Sequence, residues 1–434
     1  MVIRITERLI SHLWQSHLVR HAVADTGQWI HIVFPGRVSN RSGCDFSDAV
    51  ININGLAVCG DVEVHVKSSQ WQSHRHHQDP KYNNIVLHVV WEQDINAATR
   101  LQNGKYIPTV CLGSLIFQPL DELVSLPSSS SACPVAGRHS NDAVLSTLLT
   151  AAGLKRFRAK VASFDKALNK EDAGQVIYQG IARALGYTQN APQFQELAQR
   201  LPVTQLIENA GPIPDVALKA LLLGHAGLLP SQRARPIKDS EAIRLEKIWR
   251  SFRISETMKE TDWCFFRVRP DNFPTRRLVA LSILLSRYGQ SGLSQGILGL
   301  VEKAPEHNGH CWLENGLVAA ASGFWRNHFD FGVSTSRDSA LIGREKASAV
   351  ILNTVLPFAA AFGRWNSDSR LKKQATEIYA GYPARGDNEL TRYMKQQLRL
   401  EPNIRLSACQ QQGLIHLFHA YCRRRNCLQC PVAF

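Results

Sequence analysis

Residues 60–69, GDVEVHVKSS, alternate polar and apolar side chains. A strand has a side-chain period of two, so this one sets Asp61, Glu63, His65 and Lys67 on one face and Val62, Val64 and Val66 on the other. Two carboxylates, an imidazole and an ammonium gathered in one row repel or lose hydration if packing is their only purpose. A divalent cation draws carboxylates together and accepts imidazole ligands. A neighbouring Lys or His then orients a water or stabilises developing charge. Asp45 lies just before a second apolar segment, Ala49–Ile53, and joins the row if the two segments pair. The plain alternative is a polar strand face turned to solvent.

The following stretch, residues 71–88, reads WQSHRHHQDPKYNNIVLH. His77, Asp79, Tyr82, Asn83 and His88 are expected to shape the same site as a substrate loop. His74 and His76 lie in the same run. The first 125 residues hold nine of the sixteen histidines in the chain. The tail supplies a second constellation, HAYCRRRNCLQCPVAF, in which Cys422, Cys427 and Cys430 fall within nine residues. Two of them form a C-x-x-C pair, a metal-binding spacing. His419, on the helix face before Cys422, offers a local fourth ligand for zinc. A distant thiol such as Cys264 or Cys311 would instead complete an iron–sulfur cluster. Cys409 is thirteen positions upstream of Cys422, roughly 20 Å along a helix, too far for one ion.

The elements that must carry these residues divide the chain unevenly. An amphipathic helix is predicted over 4–20, with Glu7 on the face of Ile10 and Trp14. Strands follow at Trp29–Phe34, Ala49–Ile53, Val58–Val66 and Ile85–Trp91, with another segment in 105–117, and Asn54-Gly55 marks a hairpin. Residues 126–141 read as a Ser/Pro-rich linker. The periodicity beyond them is helical, including separate helices at 142–151 and 154–168. The expected architecture is α+β: a nuclease-like module at 1–125, a helical body at 142–408, and a final helix with its cysteine knuckle at 409–434.

Charge follows the same division. Residues 1–130 hold ten Lys/Arg and eleven Asp/Glu, whereas residues 131–434 hold forty and twenty-five. The basic body implies a polyanionic partner, with nucleic acid the commonest. Arg269, Arg276 and Arg277, near the start of a helix, and Arg423, Arg424 and Arg425 in the knuckle are its candidate phosphate contacts. No run of eighteen apolar residues occurs, so no membrane span is expected. The charged N-terminal run, which includes Glu7, does not read as a secretory signal. Ten cysteines are then expected as thiols or metal ligands in a reducing, cytoplasmic setting.

The runs G-x-D-F at Gly43–Phe46, GDVEVHVKSSxW at Gly60–Trp71 and HxxDPxYNNxxLHVV at His76–Val90 resemble an uncharacterised bacterial family, a domain of unknown function. The likeness extends to Glu7, Trp14, the RPxNFP run at Arg269–Pro274 and the terminal cysteines. The module also resembles, more distantly, the PD-(D/E)xK nuclease superfamily. That resemblance implies a helix-plus-sheet core in which Asp45, Glu63 and the helical Glu7 serve one Mg2+ or Mn2+ centre. The chain departs from the superfamily pattern at Cys44, where a proline is usual, and at His65, where the lysine is usual; Lys67 lies one face-step later. The implied activity is a metal-dependent nuclease-like phosphodiesterase with Glu7, Asp45, Glu63, His65 and Lys67 in the catalytic site. The alternatives are a non-catalytic nucleic-acid-binding or scaffold protein, and a metallohydrolase of another small substrate that uses the histidines.

Overall fold

A computed structural model describes residues 5–116, 133 and 142–433, apart from 17, 40–43, 212–213, 253, 255, 266–267, 290, 337–338 and 402–403. The fold is α+β and forms two compact units. The first comprises residues 1–152, 387–404 and 412–434; the second comprises 153–386 and 405–411. Most of the predicted linker lies outside the described residues.

In the first unit the valine alternation does form a strand. Helix α1 (Glu7–Ser16) is followed by β1 (His21–Val23), β2 (Trp29–Phe34), β3 (Arg37–Val38), β4 (Phe46–Ile53) and β5 (Leu56–Lys67). The short helix α2 (Gln70–Ser73) and two 3-10 turns lead into β6 (Ile85–Glu92), then β7 (Thr99–Arg100), β8 (Tyr106–Ile107) and β9 (Thr109–Cys111). The main sheet runs β1-β2-β4-β5-β6-β9, with β3 beside β4. Its first strands pair antiparallel, whereas β6 is parallel to β5 and β9 to β6. A parallel pair needs a crossover, and residues 68–84 provide it.

Asn54 and Gly55 both take positive φ, 50° and 88°, as a two-residue hairpin turn requires. This turn fixes the register of β4 on β5, with Ile53 opposite Leu56. A bulge between Phe46 and Ala49 then leaves Phe46 opposite Val62, so Asp45 comes alongside Glu63. Helix α1 buries Ile10, Leu13 and Trp14, packs on β5, and is pinned by Trp14 Nε1 donating to the Pro35 carbonyl at 2.9 Å. Gly60 lets β6 approach β5 closely: a Cβ there would lie 2.3 Å from Val86 Cγ1 and 2.5 Å from the Asn84 carbonyl. Gly60→Ala must therefore part the two strands that carry the site. A loss of about 1–3 kcal/mol is expected, the usual cost of overpacking, measured by urea unfolding.

The return of the chain to the first unit was not visible in the sequence, which placed 142–408 in one body and 409–434 in a tail. Helix Glu389–Gln397 and the later part of Ala408–Ala420 belong with the sheet because they cover its apolar edge. Phe418 meets Phe34 edge-on at 5.9 Å, and the Arg37 guanidinium lies between the Phe418 and Tyr393 rings at 5.5 and 5.8 Å.

The second unit is helical around one apolar core containing Leu222, Leu281, Val350, Phe358 and Tyr379. The two helices predicted at 142–151 and 154–168 are one, Asp142–Leu168. Gly153, which falls between the two predicted helices, is a close-packing position, since a Cβ there would lie 2.0 Å from the Cys409 carbonyl. Segment Arg344–Trp365 is long and apolar enough to cross a membrane, but 83% of its apolar window is buried inside the fold, as in a core helix. It contains a π-turn at Ile351–Val355, just ahead of Pro357, whose missing N–H removes a helical hydrogen bond.

Candidate metal centre on the sheet

Strand β5 gives Glu63 and His65 the same facing, and the crossover residues bury that face. Trp71, Tyr82, Ile85, Leu101 and Ile107 form a small apolar cap over it. Glu63 is 7% exposed and His65 2%. The middle of the predicted polar row, Glu63 and His65, is therefore interior and not solvent-facing.

On one side of Glu63 stand two further carboxylates. The Asp45 carboxylate accepts from the Val64 backbone N–H at 2.9 Å, and the Asp45 backbone lies near enough to Glu63 to favour its carboxylate form. Glu7 lies close enough to raise the pKa of both. Its own carboxylate accepts from Gln70 Nε2 at 3.1 Å. Burial pushes the Glu63 carboxyl up to about 9, with Asp45 and then Glu7 adding repulsion; burial raises Asp45 as well. Glu63 Oε2 is buried without a hydrogen-bond partner. A buried carboxylate oxygen left bare calls for a proton or a cation.

On the other side stand imidazoles. Glu63 Oε1 is 3.5 Å from His76 Nε2 and 3.9 Å from His65 Nε2, and those two nitrogens are 3.2 Å apart. His65, His74 and His76 bring three ligand nitrogens within 4.8 Å of one another. Behind them runs a buried chain: His65 Nδ1 to His88 Nε2 at 2.9 Å, His88 Nδ1 to Thr99 Oγ1 at 3.0 Å, and Thr99 Oγ1 to Thr109 Oγ1 at 2.9 Å. A cation at His65 Nε2 needs a lone pair there, so Nδ1–H must donate to His88 and His88 Nδ1–H to Thr99. This backing orients a ligating imidazole. Burial holds all three rings neutral: His65 falls to about 2, His88 to about 3 and His76 to about 4. Tyr82 packs against His76 with the rings tilted, 3.8 Å between centroids, and Trp71 meets His65, His76 and His88.

The structure thus brings Glu7, Asp45, Glu63, His65, Tyr82 and His88 together. It leaves others outside. Lys67 is half exposed and lies 3.7 Å from Glu92, because the strand emerges from the cap at its end. Asp79 caps the 3-10 turn Pro80–Asn84 and pairs with Lys81 at 2.5 Å. Asn83 ties the turn to Gln102 and the Asn103 backbone. Asp61 accepts from the Asp48 backbone N–H and the Asn84 side chain. His77 faces a neighbouring groove of about 520 Å3 with Trp71, Gln72, Arg100 and Tyr106. It is His76, one residue earlier, that reaches Glu63. Only the course of the turn decides between adjacent histidines, and the run of residue types carried no signal for it.

Two of the expected phosphate contacts are overturned. Arg276 and Arg277 are 0% and 4% exposed. Arg276 donates to the Trp325, His328 and Ser339 carbonyls, and Arg277 to the Leu341 carbonyl and Asn272 Oδ1. Their helix, Pro274–Tyr288, is buried almost all round in its first turns, so the arginines serve as internal donors. Arg269 and Arg424 are exposed, whereas Arg423 and Arg425 are half-buried.

In the metal-free protein Glu63 makes stability depend on pH. Its folded pKa of about 9 lies above the ordinary 4.5. Its contribution is fully present below pH 4.5 and is lost as pH rises through about 9. Over that window Glu63→Gln should flatten the fall, whose limiting slope is about 1.4 kcal/mol per pH unit for one proton. Urea unfolding of both proteins in chelator checks this; equal slopes contradict it.

Fold and site define a mixed-sheet module with an interior acid–imidazole cluster, joined to a helical unit. The chain belongs to the family described as Protein of unknown function (DUF2851), which matches residues 7–388. No curated protein and no solved structure matches it.

Proposed function

We propose that the protein is a metal-dependent, nuclease-like phosphodiesterase acting on nucleic acid, with its centre at Glu63. The observation that carries this reading is a buried carboxylate with one bare oxygen, flanked by Asp45 and Glu7 on one side and His65 and His76 on the other. Asp45 and Glu63, with Glu7 behind them, would hold the ion. Mixed oxygen and nitrogen donors favour Mn2+ over Mg2+. Such an ion supplies charge stabilisation at a phosphoryl oxygen and lowers the pKa of water.

The protein's own groups do the rest. His65 and His76 are held neutral at pH 7, so they would act as lone-pair donors that ligate the ion or orient an attacking water. His88 holds His65 in one orientation. Trp71 and Tyr82 exclude bulk water, which strengthens each electrostatic contact inside. The groove bordered by Trp71 carries His77, Arg100 and Tyr106, a cation and rings suited to a phosphate and a base. The basic balance of the chain, +14 overall, favours a polyanionic substrate. The ten free thiols accord with a cytoplasmic setting.

Incubation of the purified protein with Mn2+ and single- and double-stranded DNA and RNA tests the reading. Cleavage suppressed by chelator supports it. Binding without cleavage of any of the four favours the non-catalytic module instead. The trio of His65, His74 and His76 supports a second reading, a zinc hydrolase of a smaller substrate. Activity restored by Zn2+ and not Mn2+ would select that reading.

A further inference from the structure

The crossover that follows β5 doubles back on it. His74 ends helix α2, and His76 opens the next 3-10 turn. Arg75 between them takes a left-handed conformation, φ 61°, which turns the chain so that both imidazoles come to His65. Their ring centroids stand 5.1 Å from that of His65 and 5.5 Å from each other. Ring nitrogens of the three lie within 4.8 Å of one another, and among the described residues this is the group of His, Cys, Asp or Glu donors that meets that spacing. The tail donors Cys422, Cys427, Cys430 and His419 form no such group; the cysteines stand in or beside successive 3-10 turns.

Separations within the group distinguish a shared ion from a hydrogen-bond network. His65 Nε2 and His76 Nε2 are 3.2 Å apart, and Glu63 Oε1 lies 3.5 Å from the second and 3.9 Å from the first. The carboxylate contacts are too long for hydrogen bonds, whose N···O length is about 2.7–3.2 Å. One proton between the two nitrogens would leave that oxygen unserved. Donors about 2.0–2.1 Å from one tetrahedral zinc stand about 3.3 Å apart, close to the three separations just given. His65 is already oriented for the task, since its Nδ1 meets His88 and His88 is backed by Thr99. Three nitrogens with one oxygen also suit zinc better than Mg2+ or Mn2+.

We propose that His65, His74, His76 and Glu63 Oε1 hold a zinc ion of their own, beside the ion assigned to Asp45 and Glu63. Four protein ligands close a zinc site, so this one is structural. It ties the crossover, residues 68–84, to β5 and fixes the cap of Trp71 and Tyr82 over Glu63. In this arrangement the imidazoles serve the zinc, and Glu63 Oε2, bare in the fold, is left for the neighbouring ion. The zinc site does not depend on cleavage of nucleic acid; only the bridging of two ions by Glu63 rests on that reading.

The test is zinc analysis of the full chain purified without chelator, together with diffraction from its crystals on both sides of the zinc absorption edge. An anomalous peak is expected about 2.0–2.2 Å from Glu63 Oε1 and from a nitrogen of each of the three histidines. His74→Ala, at an exposed residue, should lower the zinc content by about one ion per chain. His77→Ala, one residue beyond His76, should leave it unchanged. Loss of the zinc should also open residues 68–84 to limited proteolysis, a readout separate from activity. If His74→Ala does not fold, the anomalous map of the wild-type protein decides alone. Zinc found only at the tail cysteines, equal zinc in His74→Ala and wild type, or no peak among the histidines after soaking in Zn2+ would each overturn the assignment. Zinc at the histidines of a protein that cleaves no nucleic acid would uphold this site while rejecting the phosphodiesterase. Mn2+-dependent cleavage with the histidines empty would do the reverse.

Discussion

Glu63→Gln is expected to abolish Mn2+-dependent cleavage of nucleic acid, by roughly 100-fold or more, while leaving substrate affinity nearly unchanged. The amide keeps the shape of the carboxyl group but removes the charge around which Asp45, Glu7, His65 and His76 are arranged. Losing one preorganised electrostatic contact to a transition state costs about 10²–10³ in rate. The groove of His77, Arg100 and Tyr106, proposed to hold the substrate, is untouched, so the effect should fall on kcat and not on KM. Equal cleavage by the variant and the wild type would reject the mechanism. A rise in KM alone would move Glu63 out of the chemistry.

The largest stability effect is expected in the helical unit, at Arg276→Met. The side chain is fully buried and its guanidinium satisfies carbonyls of Trp325, His328 and Ser339. Methionine fills much of the volume but leaves those acceptors unpaired, each at about 1–3 kcal/mol less whatever relaxation recovers. A net loss of about 3–4 kcal/mol should appear in urea unfolding followed by far-UV circular dichroism. Arg269→Ala, on an exposed residue, should fall within about 0.5 kcal/mol of wild type. Equal effects of the two would show that Arg276 is not the internal donor described.

The core of the site was legible because its determinants are local or periodic. Val62, Val64 and Val66 specify a strand, and the period of two then forces Glu63 and His65 together. Asn54-Gly55 specifies the hairpin whose register carries Asp45 to Glu63. Glu7 shares a helix face with the apolar residues that dock α1. His76 was not legible, since it reaches its place through a short turn with no period to read. Lys67 was misplaced for the opposite reason: strand period gave its face correctly but not where the covering cap ends. Arg276 and Arg277 looked like surface cations because charge biases the reading outward. Tertiary carbonyls, supplied about fifty to sixty residues further along the chain, hold them inside. The return of residues 387–404 and 412–434 to the sheet was invisible for the same reason, as an apolar helix face does not say which surface it will cover.

The central claim is that Glu63 and Asp45 share one metal ion. Anomalous diffraction from crystals of the wild-type protein grown with Mn2+ tests it most directly. The expected result is one strong peak at ligand distance, about 2.0–2.6 Å, from carboxylate oxygens of both residues, absent from crystals of Glu63→Gln. No peak at Glu63 under saturating Mn2+, or an equal peak in the variant, would contradict the account.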